Sequence, residues 1–133
     1  MISVLDASAA VEYLIGSVRA AMVRQVVRSP GTVLNIPALC DVEVASSLRR
    51  LLLRGILPED RAKEALRDYL DLPLTRHGHQ NLLARVLSLR TNFSAYDATY
   101  VALAERLGAT LVTGDESLAR ATEDHLDLST VLV

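Results

Sequence analysis

The chain has no tryptophan, one phenylalanine, one cysteine and one lysine among its 133 residues. Aromatic residues make up 4 % against 50 % hydrophobic overall, so a core has to be assembled from leucine, valine, isoleucine and alanine. Such side chains suit helices packed on a sheet. The single cysteine, Cys40, excludes an internal disulfide and a thiolate metal cluster within one chain. It is expected as a small buried side chain in a helix. A strong charge of either sign is also missing: 14 basic residues against 16 acidic ones leave a formal net charge of −2. That gives no general attraction for a polyanion, and any nucleic-acid contact must use a local patch. Long apolar runs are absent as well. "LRRLLLRGIL" is broken by arginines well short of the roughly 20 residues that span a bilayer, so no membrane span is expected. Met1 leads directly into "ISVLD" with no basic stretch, which does not fit a secretory leader, and a cytoplasmic location is expected. The length suits one domain, taken as residues 1–133.

What is present is an alternation of short apolar runs with helical patterns. "ISVL" (2–5) reads as a strand ending at Asp6, with Ser8 placed to cap a helix over 9–15. A second helix is predicted over 18–28, broken by "SPG", and then "VLNI" (33–36) as a strand. Pro37 is expected in the first turn of a long helix running to Arg54, with Gly55 as its stop. "PED" at 58–60 opens a further helix that continues to Pro73 and makes a hairpin with the one before. A weak strand follows near 72–75, then "HGHQ" as a turn and a helix across "NLLARVLSLR". Ser94 caps a helix that Gly108 ends; "TLVT" (110–113) is a strand, 116–122 a short helix, and "STVLV" the last strand. Strands joined by helices imply an α/β domain with a central, mostly parallel sheet covered on both faces, a three-layer α/β/α arrangement.

In an open parallel sheet, the loops leaving the carboxyl ends of the strands form the ligand crevice. Asp6 follows the first strand directly, and Asp115 follows "TLVT" after Gly114, whose lack of a side chain leaves room for a turn or a close approach. Asp97 sits in the first turn of the helix that leads into "TLVT", and a helix start lies near the carboxyl end of the strand it runs against. Three carboxylates therefore converge. Each alone could be a helix cap, with Ser94 and Asp97 in the S-x-x-D form of a capping box. Together, carboxylates about 5 Å apart repel by roughly 3 kcal/mol per pair at an effective dielectric near 20. No histidine lies in these segments and the lone lysine, Lys63, is in the helical hairpin, so a hard divalent cation with oxygen ligands is the economical partner. A fourth acid is not singled out by spacing: Glu43, Asp41 and Glu12 compete, and the neighbours of Glu43 at Ser47 and Arg50 also read as a solvated polar arc.

Three stretches, "VLDASAAVEYL", "IPALCDVEVASSLRRL" and "SAYDATYVALAERLGATLVTGDESL", resemble the PIN-domain family, and in size and layout its VapC toxin branch. The last is the most specific, being an ordered set of acid-opened helix, glycine stop, apolar strand and "TGD". Position by position the resemblance implies metal-coordinating, catalytic acids at Asp6, Glu43, Asp97 and Asp115, with the hydroxyls of Ser8 and Thr113 beside them. It further implies hydrolysis of RNA phosphodiesters dependent on Mg2+ or Mn2+, leaving a 5'-phosphate and a 3'-hydroxyl, in a homodimer held in check by a cognate antitoxin protein. Tyr96 and Tyr100 match aromatic positions of the family and are expected to pack in the core. The long helix carries two apolar stripes, Val44, Leu48, Leu51 and Leu39, Val42, Ala45, Leu52, one for the sheet and one for a partner. Arg19, Arg49, Arg50, Arg54, Arg90 and "RHGH" (76–79) are candidate phosphate contacts. Two competing enzyme classes fit less well. A phosphoacceptor receiver needs an acidic pair after its first strand and a lysine after its last, and an aspartyl-nucleophile phosphatase needs an aspartate where Ser8 stands. The remaining alternative is a noncatalytic partner-binding module whose acids are caps.

Overall fold

Apolar runs of four or five residues, each closed by a polar residue or a breaker, become the three inner strands of the sheet. The computed structural model describes residues 1–133 and contains β1 (Ile2–Leu5), α1 (Ala7–Ile15), α2 (Ala20–Val27), β2 (Val33–Pro37), α3 (Leu39–Leu53), α4 (Glu59–Asp71) and β3 (Leu74–His77). A 3-10 turn (Gln80–Leu82), α5 (Leu83–Ser88), α6 (Ala95–Leu107), β4 (Thr110–Thr113), α7 (Glu116–His125) and β5 (Thr130–Leu132) complete it. The sheet order is β3-β2-β1-β4-β5, and all four pairings are parallel. Helices α1 to α4 pack on one another, while α6 packs on β1, β2 and β4 with α5 against it, giving the three-layer α/β/α arrangement. From β1 the chain steps to β2 and β3 on one side, then crosses back to place β4 on the other. The connections therefore diverge above β1 and β4, and a crevice opens at that switch point.

Helix α6 explains why an apolar helix opens on an acid. Ala98 to Ala104 are all buried, so the helix is enclosed on every side. Each buried valine or leucine there contributes about 1.5–3 kcal/mol by leaving water. Its first turn reaches the open crevice, where a polar residue is tolerated. Ser94 caps it, accepting the Asp97 N–H at 3.1 Å, and Gly108 ends it at φ 59°, a left-handed conformation that favours glycine. Of the two stripes on α3, Val44 and Leu48 are buried, whereas Val42 and Ala45 face solvent. Cys40 is fully buried, and burial pushes its thiol up to about 11.

Several boundaries differ from the sequence expectation for physical reasons. Ser8 is not a cap: α1 begins at Ala7, Asp6 occupies the cap position, and the Ser8 hydroxyl turns to other partners. Pro37 ends β2 instead of opening α3. Successive N–H groups of a strand alternate sides, and the Ala38 N–H bonds His77 on β3, so the donor Pro37 lacks would face β1. The ladder with β1 accordingly stops at Asn35. "RHGH" is not a free turn either, since Arg76 and His77 lie in β3. The helix across 81–90 divides into the 3-10 turn and α5, and α7 runs on to His125.

Candidate active site

Asp6 stands where β1 ends. Its N–H still donates to Val112 O on β4 at 2.9 Å, so the sheet itself fixes its backbone. The residue is buried, at 7 % exposure, and makes no cap bond to α1. Instead its Oδ2 accepts two hydroxyls, Ser8 Oγ at 2.6 Å and Thr113 Oγ1 at 2.8 Å. Ser8 Oγ also accepts the Gly114 N–H at 2.9 Å, and Thr113 Oγ1 accepts the Asp115 N–H at 3.0 Å. The "TGD" segment is thus tied to the start of α1 through the same hydroxyls that hold the acid. Gly114 is not demanded by its backbone conformation: an added Cβ would meet Ser8 Oγ at 3.5 Å, an ordinary contact.

The other three acids arrive on separate elements. Asp97 comes from the first turn of α6, Asp115 from the start of α7 and Glu43 from the middle of α3. All four line one cleft of about 270 Å³, together with Ser8, Ser46, Ser47 and Arg50. Only Asp115 acts as a helix cap, its Oδ1 accepting from the N–H groups of Ser117 at 2.8 Å and Leu118 at 3.2 Å. The Asp97 carboxylate receives no backbone N–H, since the capping oxygen of α6 belongs to Ser94. Glu43 Oε1 accepts the Tyr100 hydroxyl at 2.5 Å. Tyr100 is fully buried, so it fills the core and positions an acid as well, whereas Tyr96 is 62 % exposed and not a core residue.

Of Glu43, Asp41 and Glu12, only Glu43 lines the cleft with the other three acids. Asp41 is engaged by Arg76 Nε, 3.0 Å from both carboxylate oxygens, and by the Tyr69 hydroxyl at 2.7 Å. Burial raises its pKa, but the bonds from Arg76 and Tyr69 outweigh that and hold it below the usual carboxylate range. Glu12 accepts the hydroxyl of Ser17. Within the "RHGH" segment, Arg76 pairs with Asp41 and His77 Nε2 lies 2.8 Å from Asn35 Oδ1. Of the five arginines named from sequence, Arg50 lines the cleft; Arg19 lies beside it, donating to Gly114 O at 3.0 Å. Ser46 and Ser47 were not anticipated. The signal was the polar arc three, four and seven residues past Glu43, which is the wall of the cleft and not an open surface.

Electrostatically the cleft is unbalanced. The ion pairs of the protein engage Asp41, Glu59, Glu64, Glu105 and Glu116, and none engages the four cleft acids. Burial pushes the Asp97 carboxyl up to about 6, with further upward contributions from Asp6, Asp115 and Glu43 and a small opposing one from Ser94. Asp6 is raised by burial, partly countered by the bonds from Ser8, Thr113 and the Ala7 backbone, with Asp115 adding to the rise. Glu43 is raised by burial and by Asp6 against the Tyr100 hydroxyl. Mutual elevation of this kind marks a group of acids that the fold holds together at an energetic cost. No three of them lie close enough to surround one ion directly. A larger cavity of about 570 Å³ between α7 and β5 contains Arg120 among its acids and leucines and none of these four residues.

A doubly wound parallel sheet with an acidic cleft over its switch point defines a recognisable class. The sequence profile of the PIN domain matches residues 3–124. VapC ribonuclease Mb0985 of Mycobacterium bovis is 39 % identical over 128 residues, 96 % of this chain and 97 % of the relative. Ribonuclease VapC3 of Mycobacterium tuberculosis is 43 % identical over 119 residues, 89 % of this chain and 85 % of the relative. Among solved structures, VapBC2 from Rickettsia felis, bound to a DNA fragment from its promoter, superposes with a TM-score of 0.69 at 16 % identity, covering 98 % of each chain. The chain belongs to the PIN-domain family, in its VapC branch.

Proposed function

We propose that this chain is the toxin of a toxin–antitoxin pair: an endoribonuclease, acting in the cytoplasm, that hydrolyses RNA phosphodiester bonds with Mg2+ or Mn2+ held at Asp6, Glu43, Asp97 and Asp115. The observation that carries this reading is a cleft lined by four carboxylates from four elements, none neutralised by a cation of the chain. The donors are hard oxygens, which suit these ions. Mg2+ in particular keeps several waters and takes one or two carboxylates plus substrate phosphate, so an acidic cleft without a tight cage fits it. When bound, the ion acidifies a water and stabilises charge on the phosphate oxygens. The chain's own residues do the rest. Ser8 and Thr113 fix one oxygen of Asp6, Tyr100 fixes one of Glu43, and Asp115 has its Oδ1 spent on α7. Asp97, whose carboxylate receives no backbone N–H, is the acid assigned to accept the proton of the attacking water. Cleavage leaves a 5'-phosphate and a 3'-hydroxyl.

The ribonuclease names of the relatives support the substrate class, and the paired VapBC2 assembly supports an antitoxin partner. Exposed apolar residues of α3, α4 and the turn between them, Val42 at 69 %, Leu53 at 70 %, Ile56 at 61 % and Leu70 at 61 %, supply surface for that partner and for a homodimer. No helix is long and apolar enough to cross a membrane. The test is incubation of the purified, antitoxin-free protein with mixed cellular RNA in Mn2+, Mg2+ or chelator, beside Asp6→Asn and Asp97→Asn. Discrete cuts bearing 5'-phosphate ends are expected with either metal, and none with chelator or with the variants. Equal cleavage by wild type and both variants would place the activity elsewhere.

A further inference from the structure

Arg50 is the one cation lining a cleft with four carboxylates, yet it pairs with none of them. Its Nη2 donates to Ser47 Oγ at 3.1 Å, which holds the guanidinium against its own helix. Elsewhere in the molecule arginines with acids at hand do pair, as Arg76 does with Asp41 and Arg85 with Glu105. A guanidinium has five N–H donors in a planar fork, and the bond to Ser47 uses one. The others make no hydrogen bond within the chain, and Arg50 and Ser46 both line the cleft. Ser46, Ser47 and Arg50 follow Glu43 by three, four and seven residues and so share its face of α3.

A single-stranded polyanion entering this cleft meets the repulsion of the acids at every phosphate, and a metal at the acids offsets it at one. The next phosphate along needs its own counter-charge, and a guanidinium fork matches a phosphate bidentately. We infer that Arg50, with the hydroxyls of Ser46 and Ser47, binds a backbone phosphate of the RNA adjacent to the one that is cut. This rests on the nuclease reading for the substrate class, and it adds a positively charged subsite on α3 that sets substrate grip and register.

The experiment measures binding and cleavage separately. Fluorescently labelled single-stranded RNA of random sequence is titrated, in Mg2+, with Asp97→Asn protein carrying Arg50 or Arg50→Gln. The glutamine is expected to weaken binding about tenfold or more, as loss of a charge-assisted contact does, and to make the log Kd against log salt slope shallower by about 0.7. In the otherwise wild-type protein, Arg50→Gln is expected to raise KM with little change in kcat, with Arg50→Lys between the two. Arg50 is exposed, so the melting temperature stays unchanged and misfolding is separable. Unchanged affinity and unchanged salt slope in Arg50→Gln overturn the subsite, as does a parent protein that does not bind RNA. RNA bound through Arg50 but not cut by the wild type under any metal condition would instead retain the subsite and remove the nuclease reading.

Discussion

Asp97→Asn is expected to lower the rate of RNA cleavage by about 10²–10⁴-fold, the range associated with losing a general base, and yet to melt at a higher temperature than the wild type in metal-free buffer at neutral pH. Both effects have one origin. Burial and three neighbouring acids raise the Asp97 pKa from 3.8 to about 6, so the folded protein holds this proton more tightly than the unfolded chain does. The stabilisation from that proton is fully present below about pH 4 and is lost as the pH rises through about 6. At pH 7 the wild type carries the charged form that its fold disfavours, and asparagine removes that charge without changing the shape. The metal-free wild type should therefore gain stability as the pH is lowered from 7 to 5, and Asp97→Asn should gain less. On the proposed function cleavage runs the other way, because a bound ion would compete with the proton for the same oxygens, and the rate should climb with pH through about 6. Thermal melts and initial rates across this range check both trends. A lower melting point for the asparagine variant at pH 7 would mean that the acids are not in conflict.

Thr113→Val is the second large effect. The hydroxyl is fully buried, donates to Asp6 Oδ2 at 2.8 Å and accepts the Asp115 N–H at 3.0 Å, so one atom links two of the four acids. Valine keeps much of the shape and leaves a half-buried N–H and part of a buried carboxylate unserved, at a cost of about 1–3 kcal/mol. If Asp6 holds the proposed ion, losing its orientation should reduce cleavage about 10–100-fold, the usual scale for a residue acting behind a metal ligand. Thr113→Ser keeps the hydroxyl and should recover most of the activity. Denaturant unfolding together with single-turnover rates for the pair separates stability from positioning. A valine variant that cuts at the wild-type rate would reduce Thr113 to a core residue.

The convergence of Asp6, Asp97 and Asp115 was legible because Asp6 and Asp115 each follow a strand into a helix, while Asp97 opens the helix that runs back into β4, and in a parallel sheet these places share an edge. Their spacing along the chain carries the geometry. Glu43 lies in mid-helix, where no junction marks it, and spacing could not separate it from Asp41 or Glu12. What separates them is Arg76 on β3 and Tyr69 on α4, which engage Asp41, and Tyr100 on α6, which engages Glu43. Those contacts depend on how the layers pack and leave no periodic trace. Ser8 shows the same limit in a smaller way. A serine three residues past a strand reads as a cap, but the Asp6 carboxylate and the Gly114 N–H of the neighbouring "TGD" loop bind the hydroxyl instead. Pro37 suits the first turn of a helix as well as the end of a strand, and only the register, which pairs it with His77 on β3 while the ladder with β1 stops at Asn35, places it in β2.

The melting temperature of the wild-type protein at pH 7 as Mn2+ is added, compared with Asp6→Asn, tests the central claim most directly. If a divalent ion relieves the repulsion among the four cleft acids, the wild type should rise saturably by several degrees as the ion reaches about a hundred times its dissociation constant. Asp6→Asn should rise far less. A flat titration for the wild type, or an equal rise in both proteins, would contradict a single cation-dependent site built from these residues.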